Sequence, residues 1–187
     1  MDDVSTLQRQ LAEDSANEVP PFGALSVALA LRMGAAATPY LRLHLEPSGA
    51  TGFLALEALR YADAPEYALL PVSLRAAIHV NALRRHSFFN SWGLPGFQLT
   101  ETSLAIIALG GGAVPSLAPL LLERRSAPLS GSEDATTSNT YANRVCDYAW
   151  VLISEILGRR YTYSKSPGAR DREIGKLRIV LRKQKQD

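Results

Sequence analysis

The segment LGGGAVPSLAPLLL, residues 109–122, has the pattern of a helix end, a tight junction and the start of a second helix. Gly110 follows an apolar run, and glycine is the residue preferred just past the end of a helix. Pro115 suits the first turn of the next helix, because the N–H that proline lacks would be unpaired there anyway. The segment therefore predicts an αα-hairpin.

The same junction occurs a second time, 76 residues earlier in the chain. At this shift Gly34 aligns with Gly110 and Pro39 with Pro115. The other aligned pairs are Ala37 with Ala113, Leu41 with Leu117 and Leu45 with Leu121. Internal repeats of this size indicate stacked units, each of which buries an apolar face against its neighbour.

Apolar periodicity predicts further helices at 51–61 and 71–85, and again at 141–157 and 167–182. The prolines that open the second helix of each pair align at a shift of 96, so about 20 residues are inserted in the second half, at 126–140. The predicted fold is all-α, with about eight helices in four stacked αα-hairpins and one long inserted loop.

The predicted domain organisation is simple. Residues 1–20 are polar and acidic, and we expect a flexible or weakly helical leader there. Residues 21–187 are expected to form a single helical-repeat domain, with a first half at 21–90, a junction at 88–98 and a second half at 99–187.

Residues 109–122 resemble the helix junction of HEAT repeats, in which one helix ends in Leu-Gly and Ala-Val-Pro-x-Leu begins the next. Residues 33–45 are similar, with Thr38 at the position of Val114. The resemblance implies a right-handed array of stacked helix pairs. HEAT-like arrays usually present a concave surface to protein partners and sometimes to nucleic acid, and a few are DNA glycosylases or cofactor lyases.

Composition is that of a folded globular protein, with 47% hydrophobic and 20% charged residues. The apolar runs are too short to cross a bilayer, and Asp2 and Asp3 stand where a signal peptide would be basic. Cys146 has no second cysteine to pair with. These features predict a cytoplasmic protein without a membrane partner.

Residue patterns for catalysis or metal binding are weak. His79 and His86 are seven residues apart, about 10 Å along a helix, too far to share one metal ion. The glycines at 110–112 lack a P-loop lysine and follow a helix rather than a strand. We therefore expect no catalytic residues, no metal and no cofactor.

The leading functional hypothesis is a protein-interaction or scaffold module whose helical surface and long loop bind another protein. Self-association at the amino-terminal end is a further expectation. The predicted partner-binding residues lie in and just after the inserted loop: Glu133, Asp134, Thr136, Thr137, Tyr141 and Arg144.

Two alternatives remain open. Residues 158–187 carry ten Lys or Arg against three Asp or Glu, which suits nucleic-acid binding. The residues for that function are Arg159, Arg160, Arg170, Arg172, Lys176, Arg178 and Lys183. The second alternative is an enzyme whose acidic site at the inserted loop uses Glu133, Asp134 or Asp147.

Four aromatic residues, Phe88, Phe89, Trp92 and Phe97, fall in the junction between the halves. They form either an exposed contact patch or a buried seal, and we expect the seal because buried aromatic side chains dominate packing energy.

Overall fold

The computed structural model describes residues 3–131 and 133–184, without the side chains of His86, Ser87 and Glu133. The chain divides into two compact units between Ser91 and Trp92. The first holds α1 (Asp3–Ala16), α2 (Leu25–Met33), α3 (Thr38–Arg42), α4 (Gly49–Ala62), α5 (Ala64–Leu69) and α6 (Val72–Leu83). The second holds β1 (Gly93–Leu94), β2 (Gln98–Leu99), α7 (Glu101–Ile107), α8 (Val114–Leu117), α9 (Glu133–Tyr141), α10 (Val145–Ile156) and α11 (Pro167–Lys183).

The amino-terminal unit is built around α4. This helix packs against α1, α2, α3, α5 and α6. Every residue from Phe53 to Leu59 is buried, because these residues are apolar except for Glu57 and neighbouring helices cover the helix.

The carboxyl-terminal unit is built around α10. This helix packs against α7, α8, α11 and the 3₁₀ segment Ala118–Leu122. Its ten residues from Val145 to Ser154 are all buried. Strands β1 and β2 form a short antiparallel hairpin, the only sheet within the described residues.

The prediction of a mostly helical chain is confirmed. Helices α4, α6, α10 and α11 lie at the predicted positions. At the two repeat junctions, Gly34 and Gly110 have φ of +58° and +63°, and each begins a 3₁₀ turn. Ala37 and Ala113 are both fully buried at these turns.

The amino-terminal segment, expected to be flexible or weakly helical, contains a helix. Residues 3–16 form α1, which packs against α2 and α4. Leu7 and Leu11, one turn apart, are buried, and Asp14 accepts a hydrogen bond from the backbone N–H of Ser26 at 2.7 Å. A two-residue apolar stripe is a weak signal in sequence, but it is sufficient when a neighbouring helix covers it.

The inserted segment at 126–140 is also more ordered than expected, because α9 begins within it. Ser138 is buried, and its hydroxyl accepts hydrogen bonds from the backbone of Leu129 and the side chain of Asn143. Tertiary hydrogen bonds thus stabilise a hydroxyl-rich sequence that has low helix propensity.

No single helix in the described ranges is long and apolar enough to span a membrane. Helix α7 and residues 110–122 taken together are long and apolar enough for a span, but the chain bends by 101° between them.

Candidate binding surfaces of the carboxyl-terminal unit

A buried ion network joins α10 to α11. Asp147 is paired with Arg144 at 2.9 Å and with Arg170 at 3.1 Å. Arg144 also pairs with Asp171, and hydrogen bonds to Asp147 are the main cause of the raised pKa of its guanidinium. Arg170 is fully buried and donates to four backbone carbonyls, those of Tyr141, Ala142, Ser164 and Lys165.

This network corrects two of the sequence-based expectations. Arg170, expected on the basic surface, is buried, so it is not available to bind phosphate. Asp147, an acid candidate in the enzyme alternative, is buried and held between two arginines. Both residues stabilise the fold.

The predicted partner-binding residues lie on or next to α9. Asp134 and Thr136 are exposed, whereas Thr137 and Tyr141 are half-buried. The backbone of Glu133 begins the helix, and its side chain lies outside the described structure. Arg144 is only 13% exposed and takes part in the ion network, so its environment is that of a structural residue.

The other six basic residues of the nucleic-acid alternative separate into three places. Arg159 and Arg160 are exposed in the turn after α10. Arg172, Lys176 and Lys183 are exposed on α11, where Lys176 pairs with Glu173 at 2.7 Å. Arg178 is half-buried and lies on a different face of α11.

An open cleft of about 920 Å³ surrounds the first pair of arginines. We call it the arginine cleft. Besides Arg159 and Arg160, its lining comprises Gly96, Glu155, Gly158, Tyr161, Thr162 and Glu173. The hydroxyl of Tyr161 donates to Glu155 at 2.6 Å, and burial and the Glu155 carboxylate raise the pKa of this tyrosine.

Five aromatic rings form a row that begins at the arginine cleft. Tyr161 packs on Trp150 with centroids 5.4 Å apart, and Trp150 stacks on Tyr163 at 5.8 Å with an interplanar angle of 20°. Tyr163 in turn contacts Tyr141 and Phe97, each at 5.8 Å. We call Tyr161, Trp150, Tyr163, Tyr141 and Phe97 the aromatic row.

A groove with an apolar floor lies beside α11. Two adjoining cavities of about 140 Å³ and 230 Å³ share Ala118 and Leu181. The remaining lining of this α11 groove is Gly111, Val114, Pro115, Leu121 and Leu157, with Arg178, Arg182 and Gln184 at its rim. Leu181 is only half-buried, because both cavities lie against it.

The junction aromatics fall on both sides of the division between units. Phe88 and Phe89 are buried in the amino-terminal unit, where the ring of Phe88 lies 5.0 Å from that of Phe53. Trp92 is fully buried, and Phe97 is 54% exposed and belongs to the aromatic row.

A second buried charge cluster lies in the amino-terminal unit. Glu57 is fully buried and accepts hydrogen bonds from Arg60 at 2.8 Å and 3.2 Å, while His79 Nε2 lies 3.4 Å from its carboxylate. Burial alone would raise the pKa of Glu57, but hydrogen bonds from His79 and Arg60 and their charges lower it to about 2. His79 belongs to α6 and Glu57 to α4, so the contact between their side chains joins the two helices.

Metal-binding and nucleophilic groups do not form a site in the described parts of the chain. Across these ranges, no three His, Cys, Asp or Glu side chains come together as metal ligands. Cys146 is buried on α10, and desolvation raises the pKa of its thiol to about 11. A thiol with this pKa is protonated at neutral pH and is a poor nucleophile.

Comparisons with models of protein families, with curated proteins and with solved structures found no match to this chain.

Sequence reasoning did not find the aromatic row or the α11 groove. Members of the row lie at positions 97, 141, 150, 161 and 163, and no local pattern connects them. A signal for the groove was present: Arg178 and Arg182, one turn apart, flank Leu181 on an otherwise one-sided helix.

Proposed function

We propose that this chain is a non-catalytic protein-interaction module that binds an acidic, amphipathic segment of another protein in the α11 groove. The observation that carries the proposal is the combination of an apolar floor with two arginines at its rim. Within the described residues, neither Arg178 nor Arg182 has an ion-pair or hydrogen-bond partner for its side chain.

The floor supplies the apolar part of the interaction. Val114, Ala118, Leu157 and Leu181 are half-buried, so each retains apolar surface that a ligand side chain would remove from water. Cavities of about 140 Å³ and 230 Å³ accept individual side chains rather than a large cofactor. Helical segments that dock in such grooves place apolar anchors at intervals of three or four residues.

The rim supplies orientation and selectivity. Arg178 and Arg182 lie one turn apart on α11, which matches two acidic side chains at similar spacing on a partner helix. Complementary charge at a rim accelerates encounter and disfavours basic partners.

The test uses the full chain as bait and identifies bound proteins by mass spectrometry. The informative variant reverses charge at the rim, Arg178→Glu with Arg182→Glu. Its control reverses the same amount of charge elsewhere on α11, Arg172→Glu with Lys183→Glu. We expect the rim variant to lose the partner by about tenfold or more, because like charges oppose each other there, while the control retains it.

Cross-linking then locates the bound segment of the partner. The proposal requires that segment to be acidic and to have apolar residues at helical spacing. Equal retention by the rim variant and wild type, or a bound segment without acidic residues, would contradict it.

The finer architecture belongs to the same proposal. We infer that the helices stack as HEAT-like αα-hairpins, supported by the two junctions with the same local backbone structure. A cytoplasmic location is proposed on the single cysteine, and self-association remains a prediction that light scattering would test.

A further inference from the structure

We propose that the arginine cleft and the aromatic row together form a second binding site, whose ligand is single-stranded nucleic acid. This site is separate from the α11 groove, and the residues that line the two are different. The proposal of a nucleic-acid site therefore does not depend on the proposed protein partner.

In the arginine cleft the two carboxylates have side-chain partners, whereas the two arginines have none among the described residues. Glu155 accepts a hydrogen bond from the hydroxyl of Tyr161, and Glu173 is paired with Lys176. Arg159 and Arg160 are exposed and have no side-chain partner among the residues that the structure describes. The cleft thus offers two guanidinium groups to an anionic ligand, and guanidinium groups suit phosphate because they donate in pairs.

The aromatic row extends this positive site with ring surfaces. Phe97 is 54% exposed at the far end, and Tyr141 beside it is half-buried. Lys165 lies 5.7 Å from the centroid of the Tyr141 ring, so a cation is present at both ends of the row. Proteins that bind single strands combine a basic path for the backbone with aromatic rings on which bases stack.

The row is held in a fixed position by the fold. Trp150 is on α10, the hydroxyl of Tyr163 donates to Asn143 at 2.7 Å, and Arg170 lies over the Tyr163 ring at 5.2 Å. The backbone of Gly96 lies against the Tyr163 ring, so closely that a Cβ at this position would lie 2.3 Å from it. Rings that are already ordered lose little conformational entropy when a ligand binds.

A duplex would use this site less well. Its bases are stacked within the helix and cannot lie on Phe97 or Tyr141, whereas a single strand exposes them. A purely electrostatic site would not distinguish the two forms in this way.

The experiment measures fluorescence anisotropy of a labelled oligo-dT strand longer than the roughly 4–16 nucleotides such sites hold. A duplex of equal length is measured in parallel, at about 50 mM and about 200 mM salt. We expect wild type to bind the single strand more tightly than the duplex, with affinity that falls as salt rises.

Two sets of variants locate the site. Arg159→Ala with Arg160→Ala should weaken binding and reduce the salt slope by about two, because each arginine would neutralise one phosphate. Arg172→Ala with Lys183→Ala removes the same charge from positions outside the cleft and should leave affinity close to wild type. Equal losses in the two double variants would show nonspecific attraction and overturn the proposal.

Phe97 variants test the stacking surface. Phe97→Leu should reduce single-strand affinity by about fivefold to about a hundredfold, because the ring face is removed, whereas Phe97→Tyr should retain it. Thermal melting of each variant establishes that the fold is intact. No binding by wild type, equal binding of the duplex, or full displacement of the strand by polyglutamate at equal charge would each contradict the assignment.

Discussion

Arg170 and Asp147 form an ion pair, with Nε 3.1 Å from Oδ1, in which both side chains are fully buried. The guanidinium of Arg170 also donates to the carbonyls that end α9 and to those that precede α11. One side chain thereby joins α9, α10 and the start of α11. Its removal would leave Asp147 buried with one cation fewer and would take the donor from four partly buried backbone carbonyls.

We expect Arg170→Leu to lower the free energy of unfolding by about 3–5 kcal/mol, the usual cost of breaking a buried ion pair from one side. Lys176→Leu removes an exposed ion pair on the same helix and should cost no more than about 0.5 kcal/mol. Urea unfolding of both variants measures the difference. Similar losses would mean that the buried network contributes no more than a surface pair.

Gly96 and Gly110 form a matched pair for a second prediction. Both have positive φ, +80° and +63°, but only at Gly96 would a Cβ meet another group, at 2.3 Å from Tyr163. Alanine at either position should cost about 1–2 kcal/mol for the left-handed backbone. Gly96→Ala should cost about 1–3 kcal/mol more, because the turn would be forced away from the ring. Thermal and urea unfolding test this order, and equal losses would contradict the close approach.

The lowered pKa of Glu57 predicts that the stability of the fold decreases at acidic pH. Its pKa is lowered in the folded protein to about 2, from an ordinary value of 4.5. The carboxylate therefore contributes stability that is complete above about pH 4.5 and is lost as the pH falls through this range toward 2. Wild type should be more stable than Glu57→Gln at pH 7, and the difference should shrink between pH 4.5 and 2. Urea unfolding at several pH values measures it, and a difference that does not change with pH would contradict the assignment.

Much of the helical framework could be predicted because it is encoded locally. Gly34 and Gly110 end a helical run because glycine adopts positive φ without strain, and Pro39 and Pro115 fit the turns that follow. Helix α10 was predicted from the apolar periodicity of residues 141–157, and ten of its residues are buried.

Other elements could not be predicted in this way. Helix α1 has a short apolar stripe, and α9 is rich in hydroxyl residues, so neither is strongly encoded by its own sequence. Each is stabilised by hydrogen bonds from elsewhere in its unit: Ser26 to Asp14, and Leu129 to Ser138. Helices of this kind depend on tertiary packing more than on propensity.

The candidate sites show the same distinction. Residue pattern was sufficient for helices such as α4 and α10 and for the basic character of the last 30 residues, since these depend on apolar periodicity and on charge counted along the chain. Pattern did not distinguish Arg170, which is buried, from Arg159 and Arg160, which are exposed. Tertiary packing decided which of these arginines is buried. It also brought Phe97, Tyr141 and Trp150 together with the tyrosines after α10, and it left Leu181 partly uncovered. The physical reason is that solvent exposure and ring contacts depend on which distant segment covers a residue, and spacing along the chain carries no such information.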